Sequence, residues 1–223
     1  MSVQQERITL PTGLTTVAYK WLPECPVRAL VVGVHGFAEH AGRYEHVGRF
    51  LVENGFALYM YDLRGHGRSE TVRGHVDRFD QFVEDTAAFI EFARREVGAK
   101  TFLLGHSMGG LITVLTVSKA GSKLAGFITS GAALELNVSV FTRIVLQLMA
   151  ALRPLGRVKT PVNAQLLSKD PDIAQRYLSD PLVFKDPTLK LLVEFGKAVS
   201  RIWEVAEKIS LPALIMHGSE DSI

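Results

Sequence analysis

Short apolar runs alternate along the chain with segments whose apolar positions recur every three or four residues. The runs are RALVVGVHG, FALYMYD, TFLLG, LAGFITSG and LPALIMHG. Each is short and nearly continuously apolar, which is typical of a strand buried on both faces of a sheet. Two earlier segments, ERITLP and TTVAYKWL, flank Thr12-Gly13 and predict an antiparallel hairpin.

The segments between the runs predict helices. YEHVGRFLVENG places Val47, Phe50 and Leu51 on one helical face and ends at Asn54-Gly55. RFDQFVEDTAAFIEFARREVG has helical apolar spacing and is followed by Gly98, and GGLITVLTVSKAG predicts a further helix. This alternation predicts the α/β class, with a mostly parallel sheet and helices on both of its faces.

The alternation stops between about residues 136 and 197. A helical apolar stripe lies there, formed by Phe141, Ile144, Val145, Leu148, Met149 and Leu152. Five prolines divide the remainder, at positions 154, 161, 171, 181 and 187. We interpret residues 136–197 as an inserted helical cap between two parts of one core domain, residues 1–135 and 198–223. The stripe either lines an apolar tunnel for a fatty chain or packs down on the sheet.

Composition and charge narrow the class of partner. The 223 residues are 47% hydrophobic, which suits one globular domain, and the net charge of +2 selects for neither nucleic acid nor an anionic membrane. Cys25 is the single cysteine, so no intrachain disulfide forms. The N-terminus lacks the apolar core of a signal peptide, and no apolar run reaches the roughly 18 residues of a membrane span. We therefore predict a cytoplasmic protein without stable membrane insertion.

One serine stands in a motif that carries chemistry. LLGHSMGG fits the pattern G-x-S-x-G, with Gly105, Ser107 and Gly109 in the required places. A nucleophile on a tight turn from strand to helix needs small neighbours two residues away on each side. The motif follows a predicted strand and begins a predicted helix, which is the context that it demands. Ser107 is therefore the candidate nucleophile, and the alternative is a glycine-rich turn capped by a serine.

Three stretches together show a family resemblance: HGFAEHAGRY (35–44), DLRGHGRSE (62–70) and GHSMGG (105–110). With these, and the weaker YLSDPLVF (177–184), the chain resembles the α/β-hydrolases, specifically the monoacylglycerol lipase and lysophospholipase branch of serine hydrolases. The resemblance implies an α/β-hydrolase fold, an ester substrate and no metal or organic cofactor.

Cleavage of an ester places negative charge on the carbonyl oxygen, which needs N–H donors already in position. The residue after the nucleophile, Met108, is expected to supply one main-chain donor. By resemblance the second is the main-chain N–H of Phe37, in a loop shaped by His35-Gly36. The alternative is that Phe37 only packs in the core.

The catalytic acid of this fold follows a late strand, and the resemblance places it three residues after Gly218, at Asp221. Glu220 is the rival, and a solvated acidic turn is the alternative. The histidine of the triad should follow the acid, yet no histidine follows Asp221. Of the seven histidines, only His40 and His75 lie in loops that could reach the site. We therefore expect the histidine beyond Ile223, after a missing final strand and helix, with that segment either part of a longer chain or bound as a separate fragment.

The sequence thus predicts a serine carboxylic-ester hydrolase that forms an acyl-enzyme on Ser107. Monoacylglycerols, lysophospholipids and short-chain esters all fit. The alternatives are a non-catalytic binding protein of the same fold, and haloperoxidase or carbon–carbon hydrolase chemistry on the same triad. An aspartate nucleophile, as in dehalogenases and epoxide hydrolases, does not fit a serine at position 107.

Overall fold

A computed structural model describes residues 3–136, 138–159 and 164–221. Within these residues a seven-stranded sheet forms the centre of the protein. Its strands are β1 (Gln4–Thr9), β2 (Thr15–Trp21), β3 (Leu30–Val34), β4 (Ala57–Tyr61), β5 (Thr101–His106), β6 (Gly126–Ser130) and β7 (Ala213–Met216). The spatial order is β1-β2-β4-β3-β5-β6-β7. The first three strands in this order pair antiparallel and the others pair parallel, which confirms the predicted hairpin and the mostly parallel sheet.

Helices connect the strands and cover the sheet. They are α1 (Glu45–Glu53), α2 (Asp80–Val97), α3 (Met108–Ala120), α4 (Val140–Leu152), α5 (Pro171–Ser179), α6 (Leu189–Ser200) and α7 (Ile202–Ala206). Helix α3 is apolar on all sides and ten consecutive residues from its start are buried, so it is a core helix rather than an amphipathic one. It follows β5, the strand paired with both β3 and β6, and this places its N-terminus at the carboxyl edge of the sheet.

The buried face of helix α1 differs from the predicted apolar face. Phe50 was expected to point inwards with Val47 and Leu51, but it is 65% exposed, and Gly48 and Val52 are the buried residues. Gly48 lies so close to the Trp21 ring that an added Cβ would be 2.5 Å from Trp21 Cγ. The absence of a side chain at position 48 lets the helix turn this position towards the sheet, and Phe50 is rotated out to solvent.

Between β6 and β7 the described residues are mainly helical, as predicted for the cap. Pro161, one of the five prolines predicted to divide it, lies outside the described residues. The predicted boundary at residue 197 falls inside helix α6 and does not coincide with the end of an element. The division of the chain at residues 136 and 197 stays a prediction.

The apolar stripe of the cap is not placed as expected. Phe141 is 76% exposed, Leu148 is 62% exposed and Leu152 is 84% exposed, whereas Ala150 is the buried residue of α4. The expectation that the stripe packs on the sheet is therefore wrong, and the lining of an apolar tunnel for a fatty chain stays a prediction. Helix α4 packs against α6 instead, with the small side chain of Ala150 buried, and that contact turns the large apolar residues outwards.

Strand β7 is the edge of the described sheet, and all four of its residues are exposed. No helix among the described residues is both long enough and apolar enough to cross a lipid bilayer.

The glycine of α1 offers a stability test. Replacing Gly48 with Ala forces a methyl group into the Trp21 ring, so we expect the free energy of unfolding to fall by about 1–3 kcal/mol. The matched control is Gly196→Ala in α6, where nothing lies within 4 Å of an added Cβ. Because alanine favours helix over glycine, that variant should be unchanged or gain up to about 1 kcal/mol. Urea unfolding measures both, and equal effects would contradict the packing described for α1.

Candidate active site

Ser107 occupies a strained turn between β5 and α3. Its φ is 52° and its ψ is −119°, a backbone conformation that residues other than glycine rarely adopt. Ser107 and Ala38 are the two non-glycine residues with positive φ in the part of the chain that the structure describes. The N–H of Ser107 donates to Ser130 O at 3.0 Å, which ties the turn to the end of β6. The predicted context of the motif, a strand followed by a sharp turn and a helix, is confirmed.

Close backbone contacts explain the two motif glycines. A Cβ on Gly105 would lie 2.2 Å from Gly109 O, and a Cβ on Gly109 would lie 2.1 Å from Val34 O. Both positions are therefore closed to any side chain. The same contacts bring the start of α3 against the end of β3, where the loop with Phe37 begins.

The loop after β3 lies directly beside the nucleophile. A Cβ on Gly36 would be 2.9 Å from Glu39 Oε1 and 3.3 Å from Ser107 Cβ, so the loop is in close contact with the serine and a side chain at position 36 would have to displace its neighbours. The ring of Phe37 packs against His66, Phe184 and Phe195, with centroid distances of 5.4–6.5 Å. The side chain of Phe37 thus takes part in packing, and only its main-chain N–H remains a candidate donor.

His35 fixes the peptide group that carries the Phe37 N–H. The N–H of Leu63 donates to His35 Nε2 at 3.0 Å, so Nε2 must be the unprotonated nitrogen. Nδ1 then carries the proton and donates to Gly36 O at 2.9 Å. In a trans peptide the N–H of Phe37 points opposite to that carbonyl, so this hydrogen bond also fixes the direction of the Phe37 N–H. Burial, followed by electrostatic repulsion between the two neighbouring rings of His35 and His66, holds the pKa of His35 well below its usual value, so the ring stays neutral.

Met108 is the first residue of α3 and is fully buried. Its N–H belongs to the first turn, where main-chain donors have no partner within the helix. These donors and the helix dipole favour negative charge at this end.

Asp221 lies at the same edge of the sheet as Ser107. Its N–H donates to Gly218 O at 3.2 Å, closing a turn after β7. Its Oδ2 is 3.4 Å from the position of a Cβ on Gly131, and the His106 ring comes within 3.7 Å of the same point. The rival acid, Glu220, forms a salt bridge at 2.8 Å with Lys169, and its side chain is 73% exposed. Asp221 thus lies near Gly131 and His106, next to the turn of Ser107, whereas Glu220 pairs with Lys169.

The described residues contain no hydrogen bond between Ser107 Oγ and a histidine ring. His40 and His75, the two histidines whose loops could reach the site, pair with Asp180 at 2.8 Å and with Thr188 at 3.0 Å. His106 is bonded to Ser130 O, and His217 lies 3.4 Å from Asp221 Oδ2. The contact between His217 and Asp221 was not foreseen, because His217 ends the strand and was expected only to support it.

The motif HGFAEHAGRY gave no signal for two further features. Its fourth residue, Ala38, has a positive φ of 67°. Its fifth residue, Glu39, folds back so that its carboxylate accepts a hydrogen bond from the N–H of Gly36 at 2.7 Å. Alanine is not a residue that predicts positive φ, and a glutamate in a loop is usually solvated. Only the folded loop shows that this carboxylate has a buried partner.

The serine aminopeptidase S33 family matches residues 25–223. The monoacylglycerol lipase of Mycolicibacterium smegmatis is 32% identical over 218 residues, which cover 95% of this chain and 76% of that protein. Human monoglyceride lipase is 33% identical over 214 residues, which cover 91% of this chain and 68% of that protein. The crystal structure of the Paleococcus ferrophilus monoacylglycerol lipase matches with a TM-score of 0.78 and 30% identity, over 98% of this chain and 78% of that one.

His66 is buried beside Phe37, and this burial leads to a prediction about the stability of the protein in acid. Burial lowers the pKa of His66 to about 4, while the same side chain in the unfolded chain titrates near its ordinary value of 6.5. Between these two values the unfolded chain binds a proton that the folded protein rejects. The free energy of unfolding therefore decreases as the pH is lowered through this window. His66 contributes at most about 3 kcal/mol to this decrease.

In the variant His66→Gln that contribution is absent, so the loss of stability between pH 6.5 and 4.5 should be smaller than in the parent. His46→Gln, on the exposed side of α1, is the control and should keep the full loss. Urea unfolding at several pH values measures the difference. If the free energy of unfolding depended on pH identically in the parent and in His66→Gln, the lowered pKa would not belong to His66.

Proposed function

The chain belongs to the serine aminopeptidase S33 family, and we propose that it hydrolyses carboxylic esters through an acyl-enzyme on Ser107. Its relatives among the monoacylglycerol lipases make it a serine ester hydrolase of the α/β-hydrolase fold. The roles of individual residues and the class of ester are the proposal. The observation that carries it is the strained elbow at Ser107, with the loop of Gly36 and Phe37 directly against it.

Ser107 Oγ attacks the ester carbonyl, and the main-chain N–H groups of Phe37 and Met108 bind the oxygen as it becomes negative. Such donors stabilise a transition state well when they do not reorganise during the reaction. Here the peptide of Phe37 is held by the hydrogen bond from His35, and Met108 is held in a helix. Expulsion of the alcohol leaves the acyl group on Ser107, and water then releases the acid.

Asp221 orients the histidine that takes the proton from Ser107. We place that histidine beyond Ile223, as the sequence predicts. The positions of His40, His75 and His106 support this, because each is already bonded elsewhere.

The substrate we favour is a monoacylglycerol, with lysophospholipids and short-chain esters as the other members of the class. The segment after β6 passes the nucleophile, because the N–H of Ala133 donates to Ser107 O at 3.1 Å. It carries Leu134 and Leu136, both half-buried and packed on the core. Apolar side chains close to the serine in sequence suit an acyl chain. We also propose that the protein works in the cytoplasm.

Activity against graded substrates tests this function. In the full-length protein we expect turnover of p-nitrophenyl esters and of monoacylglycerols, and reaction of a fluorophosphonate probe with Ser107. Ser107→Ala should remove the labelling and lower turnover by about 10⁴-fold or more. The p-nitroanilide of an amino acid should be cleaved far more slowly, although peptide hydrolysis is what the family description suggests. Faster cleavage of the anilide would point to a peptidase, and failure to label Ser107 to a binding protein.

The acid has its own matched pair of variants. Asp221→Asn should lower turnover by about 10⁴-fold, because an asparagine does not stabilise the imidazolium that forms and favours the wrong tautomer. Glu220→Gln, one position away, changes an exposed residue paired with Lys169 and should stay within about twofold of the parent. Steady-state ester hydrolysis measures both. A reversed order would assign the acid to Glu220.

A further inference from the structure

A carboxylate outside the proposed triad lies against the loop of the oxyanion hole. Glu39 Oε1 accepts hydrogen bonds from the N–H of Gly36 and from the hydroxyl of Tyr44, each at 2.7 Å. The Glu39 side chain is only 13% exposed, so these donors replace water that the carboxylate has lost. One of them is the main-chain amide directly before Phe37.

Both polar main-chain groups of Gly36 are therefore held by side chains. Glu39 accepts from its N–H, and His35 donates to its carbonyl. With the two peptide groups around Gly36 fixed, the N–H of Phe37 keeps one direction. Glu39 acts on this loop without any contact to a reacting atom.

The conformation of the loop needs this support. Ala38, with φ of 67°, turns the chain so that Glu39 folds back onto Gly36. An alanine with positive φ is strained, and this conformation persists only where its surroundings hold it. The carbonyl of Ala38 accepts from the N–H of Phe184 at 3.2 Å, so a residue of the cap holds the same turn.

The cap also reaches Glu39 through an arginine. Arg43 Nε lies 3.3 Å from Glu39 Oε2, and another nitrogen of Arg43 lies 3.7 Å from Asp180 Oδ2. Asp180 stands at the end of α5 and is bonded to His40 at 2.8 Å. Burial would raise the pKa of Asp180, but the hydrogen bonds from His40 and Leu182, together with the charge of Arg43, hold it below its usual value. The Asp180 carboxylate is thus charged at neutral pH and ties Arg43 to the cap.

We propose that Glu39 is a positioning residue for the oxyanion hole and that Asp180 of the cap holds Glu39 in place through Arg43. The position of the cap and the geometry of the hole are then linked, because a cap that moves away takes Asp180 and Phe184 from the loop. This proposal rests on the proposed function, since it assigns a support to the hole in which Phe37 takes part.

The first test is Glu39→Gln in the full-length enzyme, with Glu45→Gln as the matched control. Glu45 lies six positions after Glu39 and is an exposed carboxylate paired with Arg49. We expect Glu39→Gln to lower kcat about tenfold and to leave KM within about twofold, since the hole acts on the transition state. The affinity for a trifluoromethyl ketone, which forms a tetrahedral adduct on the serine, should fall by the same factor as kcat/KM. Glu45→Gln should change neither quantity.

The second test concerns the cap. Asp180→Asn should change kcat in the same direction as Glu39→Gln, by a smaller factor. Adding it to Glu39→Gln should lower kcat no further, because the two changes act through one contact chain. A general loss of structure would give additive losses and a lower unfolding temperature without the matched loss of ketone affinity.

Parent-like kcat in Glu39→Gln, a change in KM alone, or additive effects with Asp180→Asn would each overturn the proposal. If circular dichroism shows that Glu39→Gln does not fold, Tyr44→Phe replaces it, with an expected severalfold loss of kcat and of ketone affinity. An active parent whose activity depends on Ser107 but not on Glu39 refutes this inference alone. A parent without Ser107-dependent hydrolysis refutes the proposed function, and this inference with it.

Discussion

The close approach of three backbone segments at Ser107 is the constraint on which the rest of the site depends. The end of β3, the end of β5 and the start of α3 come so near one another that a side chain at Gly105 or Gly109 would lie within 2.2 Å of a carbonyl oxygen. Since neither position has a Cβ, the turn can hold Ser107 in its strained conformation with positive φ. The same approach sets the loop of Phe37 beside the serine.

Buried polar groups then fix what the backbone has brought together. His35 is neutral because burial lowers its pKa, and a neutral ring with a defined tautomer donates in one direction only. Glu39 is nearly buried and accepts from the amide on the other side of Gly36. Each side chain satisfies a main-chain group that would otherwise be costly to bury, and together they leave the loop one conformation.

The two wrong predictions concern helices α1 and α4, and both have the same cause. Helical periodicity gives the width of an apolar face but not the side that meets a neighbour. In α1 the glycine at position 48 allowed a closer contact with Trp21 than Phe50 could make. In α4 the small Ala150 faces α6, and the larger apolar residues face solvent. The size of the side chains that meet at each contact decided both orientations. A single sequence does not tell which side chains meet.

The sequence by itself determined the order of strands and helices, because local apolar periodicity and glycine positions are read along the chain. It also determined that Ser107 lies between a strand and a helix, because the motif and its flanks are contiguous. Only the tertiary structure decided which nitrogen of His35 carries a proton and where the carboxylates of Asp221, Glu220 and Glu39 lie. These depend on contacts between residues far apart in the chain or across a turn, and such contacts exist only once the strands have paired and the buried groups have found their partners.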